Sequence, residues 1–341
     1  MKILAIDTSC DETAAAVTDG LKVFSNIIYS QIETHRPFGG VVPHLAKREH
    51  QEKLPLVINE AMTEAGVTFD DLDAIAVTYG PGLAIALEVG IKTAKDLVRK
   101  HQKPLIAVDH MEGHLLSSFA KDSKGNFGVD DPRFPALGLL VSGGHTELVL
   151  MLNFGDYQLI GQTLDDAAGE CFDKVGKMLG LPYPGGPEIS RRAKKGNPDA
   201  IKLPIPMKSS PDFNFSFAGL KTACLYRIQK EGKLSEKFIN DFCASFEKTV
   251  VEALLIKLQA AVDKHQPGMI LLGGGVVVNE KLQTEVKLLM EKKGVPAYLP
   301  YDRKLLLDNA GMIGVAAFFK AQRGDFVKNL DGLDRQPRLE I

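Results

Sequence analysis

His110 and His114, in His110-Met111-Glu112-Gly113-His114 directly after the apolar run Leu105 to Val108, form the chain's most reactive-looking pattern. On a helix, imidazoles four residues apart fall within about 40° of one face, the usual spacing for two ligands of one ion. The alternative is a capped helix start whose histidines bond to backbone. The zinc-protease pattern H-E-x-x-H is not met. Glu112 stands two residues after the first histidine, roughly 200° around the helix, and cannot act as base on a shared metal. Asp308, in Leu307-Asp308-Asn309-Ala310-Gly311, opens an expected helix and by itself reads as an N-cap. Asp11 and Glu12, in an expected turn, are candidates for a general base or for a group supporting a metal ligand, although turn acids also simply cap.

A second kind of chemistry is suggested by glycine turns. Gly273-Gly274-Gly275 follows the apolar Ile270-Leu271-Leu272 and precedes Asn279, so backbone N–H groups there can approach a phosphate without a Cβ in the way. Ser142-Gly143-Gly144-His145 adds a hydroxyl and an imidazole. Neither the G-x-x-x-x-G-K-[ST] nor the G-x-G-x-x-G pattern accompanies them. Asp166 and Asp173 are expected on one face of a helix. Pairing them with Pro184-Gly185-Gly186-Pro187 would set a carboxylate beside a turn suited to a ribose and base, the alternative being a solvated face.

The elements that must carry these groups repeat. Ile3 to Asp7, a turn at Thr8 to Glu12 and Thr13 to Val17 read as a hairpin, and Ala136 to Val141, Ser142 to His145 and Thr146 to Leu152 read as another. Ala74 to Thr78 enters Gly80-Pro81-Gly82 before a helix, as Met269 to Leu272 enters Gly273-Gly274-Gly275 before a helix near Asn279. Hairpin and then strand, glycine turn and helix, twice in the same order, predict an α/β chain of two duplicated lobes with a central cleft. This layout resembles the actin, Hsp70 and sugar-kinase superfamily, the two-lobed actin-like ATPase (ASKHA) fold. The resemblance carries fold, not reaction. The expected lobes are 1–108 plus 324–341 and 109–323, the latter with an inserted loop at 182–217 rich in Pro, Gly, Ser and Lys. Apolar spacing predicts helices at 45–65, 84–100, 110–120, 164–179, 235–265, 280–293 and 309–322.

Bulk properties fit a folded two-domain protein, with 45% hydrophobic and 25% charged residues over 341 positions. A net charge of −2 excludes coating of nucleic acid through the global field and leaves local patches. Arg191-Arg192-Ala193-Lys194-Lys195, with Lys202 and Lys208 beyond, is the densest basic cluster, read either as a solvated helix end or as a phosphate contact. Cys10, Cys171, Cys224 and Cys243 form no C-x-x-C pair, and no segment reaches the ~18 apolar residues of a membrane span. A cytoplasmic protein with reduced thiols is expected.

Together the segments resemble the tRNA threonylcarbamoyladenosine-forming transferases, specifically the bacterial catalytic subunits. Those carrying the likeness are Ile6-Asp7-Thr8-Ser9-Cys10-Asp11-Glu12-Thr13, Thr78 to Gly82, His110 to His114, Val141 to Thr146, Asp165 to Glu170, Phe172-Asp173-Lys174, Pro184 to Pro187, Phe215 to Thr222, Gly273 to Val276 and Asp308-Asn309. The resemblance implies that His110, His114 and Asp308 ligate one divalent metal ion, Fe2+ or Zn2+. It also implies that Leu140, Val141, Ser142, Gly143, Gly144, Asp173, Gly186 and Asn279 contact threonylcarbamoyl-AMP. Two departures stand out. Val276-Val277-Val278 replaces smaller residues, and Ser190 stands where some relatives place an acidic nucleotide ligand.

The implied reaction is attack by N6 of adenosine 37, in tRNAs reading codons that begin with A, on the threonylcarbamoyl carbonyl, giving t6A and AMP. Asp11, Glu12 or His145 would assist proton removal. The resemblance further implies as partners a non-catalytic homologous subunit of the TsaB type, an ATPase subunit of the TsaE type and an upstream synthase. Substrate tRNA is expected along Arg191 to Lys208. Competing readings are a metalloprotease-type hydrolase, a non-catalytic nucleotide-binding partner subunit and a kinase of the same fold.

Overall fold

The computed structural model describes residues 1–341. Along the chain come β1 (Lys2–Asp7), β2 (Glu12–Asp19), β3 (Lys22–Ser30), α1 (Ile32–His35), α2 (Pro43–Ala65), β4 (Ala74–Gly80), α3 (Ala84–His101), β5 (Leu105–Asp109) and α4 (His110–Leu116). There follow β6 (Ala136–Val141), β7 (Thr146–Asn153), β8 (Asp156–Gln162), α5 (Ala168–Met178), α6 (Gly185–Ala193), α7 (Ala218–Glu231) and α8 (Glu236–His265). The last elements are β9 (Met269–Gly273), α9 (Glu280–Lys293), β10 (Ala297–Tyr298) and α10 (Ala310–Gln322).

The chain divides into two compact units, Met1–Pro132 with Phe154–Asp156 and Tyr298–Ile341, and Arg133–Asn153 with Tyr157–Ala297. The lobe limits drawn from sequence differ, since residues 109–132 and 298–323 fall in unit 1. The physical reason is α10, which packs on β1, β2, β3 and β5 and against α4.

Unit 1 holds a sheet in the order β3-β2-β1-β4-β5, with β1–β2 and β2–β3 antiparallel and β1–β4 and β4–β5 parallel. β1 and β4 are apolar and buried almost throughout, as strands covered on both faces must be. Leu4, Ile6, Ile75 and Val77 form a core with Leu54, Val57 and Ile58 of α2 and Leu87 of α3. The sheet linked to unit 2 runs β10-β9-β6-β7-β8, with β6–β7 antiparallel and β6–β9 parallel. Read from the hairpin edge, both sheets have the same succession of third, second, first, fourth and fifth strand, which bears out the duplicated actin-like design.

Several expectations need correction. The stretch 182–217 is no plain loop, because Gly185–Ala193 is helical. Asp165 and Asp166 precede α5 rather than lie on it. Asp165 Oδ1 instead accepts from Phe217 N at 2.7 Å and Ala218 N at 3.1 Å, capping α7 and holding the chain out of helix. Asp166 pairs with Lys174 at 3.0 Å and Lys221 at 2.5 Å, so it shares no helix face with Asp173.

Candidate active site

Asp109 creates the start of α4: its Oδ1 accepts from Met111 N at 2.7 Å and Glu112 N at 3.0 Å, satisfying donors that a helix N-terminus leaves open. His110 and His114 follow on consecutive turns, with ring centroids 4.7 Å apart and ring planes at 81°. Gly113 lies between them, where a Cβ would stand 2.9 Å from Ile313 Cδ1, so its bareness lets α4 lie directly on α10. At the far side Glu112, 3% exposed, meets Arg323 at 3.5 Å and Lys320 at 3.9 Å. These cations, Lys320 in the last turn of α10 and Arg323 just after it, fix Glu112 away from the histidine pair.

At the N-terminus of α10 the cap is Asn309, whose Oδ1 accepts from Met312 N at 2.9 Å. Asp308 is thereby left for other work. Its Oδ1 lies 3.3 Å from His110 Nε2 and 3.2 Å from His114 Nε2. One donor atom from each residue lies within 4.8 Å of the others, and the set is largely buried. The donors suit a divalent ion: the Nε2 atoms of two imidazoles and one carboxylate oxygen converge in a largely buried place. This group can hold a metal ion.

Electrostatics agree with a crowded acidic setting. Burial opposes charge on His110, but Asp308 and Asp7 outweigh it and push its pKa up to about 9. Burial lowers that of His114. Burial would raise Asp308, yet the facing imidazoles hold its carboxyl well below the usual carboxylate range. Asp7, at the end of β1, is pushed up to about 6 by burial, with its Oδ2 3.6 Å from His110 Nδ1.

The turn bearing Asp11 and Glu12 is braced from behind. His50 Nε2 donates to the Cys10 carbonyl at 2.9 Å while its Nδ1 meets Thr13 Oγ1 at 2.7 Å, and Gln31 N donates to the Asp11 carbonyl at 3.0 Å. Thr13, Gln31 and His50 are each fully buried. Loss of solvent, then the Asp11 carboxylate, pushes Glu12 well above its ordinary value.

Unit 2 carries the glycine turns. Ser142 N donates to the His145 carbonyl at 2.8 Å and Ser142 Oγ accepts from His145 N at 3.1 Å, closing the turn after β6. Gly143 and Gly144 are exposed, with nothing within 4 Å of where a Cβ would stand. Gly274 has φ of 94°, and a Cβ there would come 2.4 Å from the Val141 carbonyl, so only glycine lets the two turns touch. Leu140 and Val141 are buried in β6. Asp173 Oδ1 accepts from Gly185 N at 2.7 Å and Gly186 N at 3.3 Å, which joins two of the expected ligand contacts. Asn279 caps α9 through Leu282 N at 2.9 Å and donates to Ser190 Oγ, also at 2.9 Å.

The family model described as tRNA N6-adenosine threonylcarbamoyltransferase matches residues 22–315. A tRNA N6-adenosine threonylcarbamoyltransferase of Anaeromyxobacter sp. (strain Fw109-5) is 48% identical over 97% of this chain and 98% of the relative. One of Bacillus subtilis (strain 168) is 43% identical over 100% and 96%. The chain belongs to this family.

As a tRNA N6-adenosine threonylcarbamoyltransferase by family, it is a transferase that forms t6A on tRNA. Component A of the (R)-2-hydroxyglutaryl-CoA dehydratase of Acidaminococcus fermentans shares the fold, with a TM-score of 0.52 and 14% identity over 95% of this chain and 99% of that one. No helix is long and apolar enough to cross a membrane.

Sequence reasoning passed over Asp7, the His50 brace and Glu247, the last of which lies 2.6 Å from Asn279. Asp7 left a signal, a carboxylate ending an apolar strand. His50 and Glu247 left none, because their partners are distant in sequence. The basic cluster is also less free than it reads: Arg191 and Arg192 both pair with Glu188, at 2.6 and 3.2 Å, and Lys194 pairs with Glu280 at 2.8 Å.

Proposed function

We propose that the chain moves the threonylcarbamoyl group from threonylcarbamoyl-AMP to N6 of adenosine 37, in tRNAs reading codons that begin with A, releasing AMP. The observation supporting this most directly is the convergence of His110, His114 and Asp308 on one point. An Fe2+ or Zn2+ held there would supply Lewis acidity toward the donor's carbonyl oxygens.

The remaining work falls to the chain's own groups. N6 of adenosine is a weak nucleophile because its lone pair is delocalised into the ring, so its proton must be removed as the C–N bond forms. Two adjacent carboxylates in one braced turn suit that task, and we assign it to the Asp11–Glu12 turn, with His145 the alternative base. Backbone N–H groups of Ser142, Gly143 and Gly144 take the phosphate of the adenylate and its growing charge as AMP departs. Leu140, Val141, Asp173, Gly186, Ser190 and Asn279 shape the rest of the adenylate site.

The partners in this reading are a TsaB-type homologous subunit, a TsaE-type ATPase and a synthase that supplies the adenylate, all in the cytoplasm. Incubation with threonylcarbamoyl-AMP and unmodified tRNA, with and without the homologous subunit, followed by nucleoside analysis, tests it. The expected product is t6A with AMP in equal amount. Peptide cleavage, or ATP turnover without tRNA, would contradict it.

A further inference from the structure

Glu247 of α8 is a buried carboxylate, 7% exposed, with a single hydrogen bond, accepted by Oε1 from Asn279 Nδ2 at 2.6 Å. No basic side chain lies within ion-pair distance of it. Asn279 has little more to offer, since its amide also donates to Ser190 Oγ and its Oδ1 caps α9. An ionised carboxylate presents about four lone-pair positions, and withdrawing it from water is costly unless donors fill several of them. The chain fills one, through Oε1, and leaves Oε2 open to solvent or to a ligand that covers it.

The carboxylate sits where α6 and α9 pack on α8, beside the residue that follows the Gly273–Gly275 turn and its helical extension to Val278. What this corner lacks is a pair of adjacent O–H donors. A vicinal diol supplies that pair, and a lone acid near a glycine turn takes sugar hydroxyls in the same manner in dinucleotide-binding folds.

We propose that Glu247 receives the vicinal sugar hydroxyls of the bound adenylate, with the Ser190 hydroxyl beside it, and so makes the chain selective for ribonucleotides. This rests on the reading that the unit 2 turns bind the adenylate. A carboxylate in place of a neutral acceptor gives stronger hydrogen bonds to the diol. It also leaves a buried charge unpaired when the hydroxyls are missing.

The test is calorimetric titration of the full-length wild type, Glu247→Ala and Glu247→Gln with AMP and with 2′,3′-dideoxy-AMP. Wild type is expected to bind AMP about tenfold or more tightly than the dideoxy nucleotide. In Glu247→Ala the ratio should fall to near one while dideoxy-AMP affinity holds or rises, which doubles as a check of folding. Glu247→Gln keeps a carbonyl for Asn279 and turns an NH2 group toward the ligand, so it too should lose the preference. That variant decides the matter if the alanine chain does not fold. A wild-type ratio in both variants, or equal loss of both nucleotides, would make Glu247 a mere support for Asn279 and overturn the proposal. Equal binding of both nucleotides by wild type would also overturn it and leave the adenylate reading standing. Binding of neither would defeat both.

Discussion

His114 Nε2 lies 3.2 Å from Asp308 Oδ1 across 194 residues of chain, and the same oxygen is 3.3 Å from His110 Nε2. The contact exists because α10 packs on α4 through a bare Gly113 and because Asn309, not Asp308, caps α10. A residue that reads as a helix cap is thereby left to face the two imidazoles.

If the Asp11–Glu12 turn removes the N6 proton, Asp11→Asn should slow single-turnover transfer by about 10²–10⁴-fold with adenylate affinity unchanged. Rapid-quench measurement of t6A checks this, with His145→Ala in parallel. Wild-type rates in Asp11→Asn and Glu12→Gln alike would move the base elsewhere.

His50 braces that turn as a neutral imidazole, and burial lowers its pKa from the ordinary 6.5. As pH falls below 6.5 the unfolded chain takes up the proton first, so this contribution to stability is present above that pH and is lost as pH falls through the lower folded value. Thermal denaturation between about pH 7 and about pH 5 should therefore lower Tm more in wild type than in His50→Gln. Parallel slopes would show that His50 does not titrate in this way.

Arg191, Arg192 and Lys194 already serve carboxylates, which leaves Lys195, Lys202 and Lys208 as exposed cations without ion pairs. Lys195→Glu with Lys202→Glu should weaken tRNA binding and flatten its salt dependence, with AMP binding unchanged. Filter binding over a salt series measures this, and equal loss of both ligands would count against a tRNA path along 191–208.

Much of this was legible in the sequence because it is local. The two hairpins, the helix bounded by Glu280 and Lys293, and the i, i+4 histidines follow from periodicity and turn residues. What escaped depends on distant partners. Gly185–Ala193 reads as loop from its Pro-Gly-Gly-Pro start, yet Asp173 caps it from another helix. The helix expected from Leu164 begins at Ala168 because Asp165 is drawn to the N-terminus of α7. The helix expected to reach Ala120 leaves α-geometry at Ser117, whose hydroxyl bonds back to the His114 carbonyl at 2.7 Å. Glu247, mid-helix and flanked by apolar neighbours, gives no sign in sequence of the amide it meets.

The most direct test of the metal-centred account is to measure bound metal and t6A yield together for wild type and Asp308→Ala, each supplied with threonylcarbamoyl-AMP and unmodified tRNA. The account predicts that the variant loses its ion and that t6A formation falls with it, while AMP binding is retained. An Asp308→Ala chain that forms t6A at the wild-type rate without metal would contradict it.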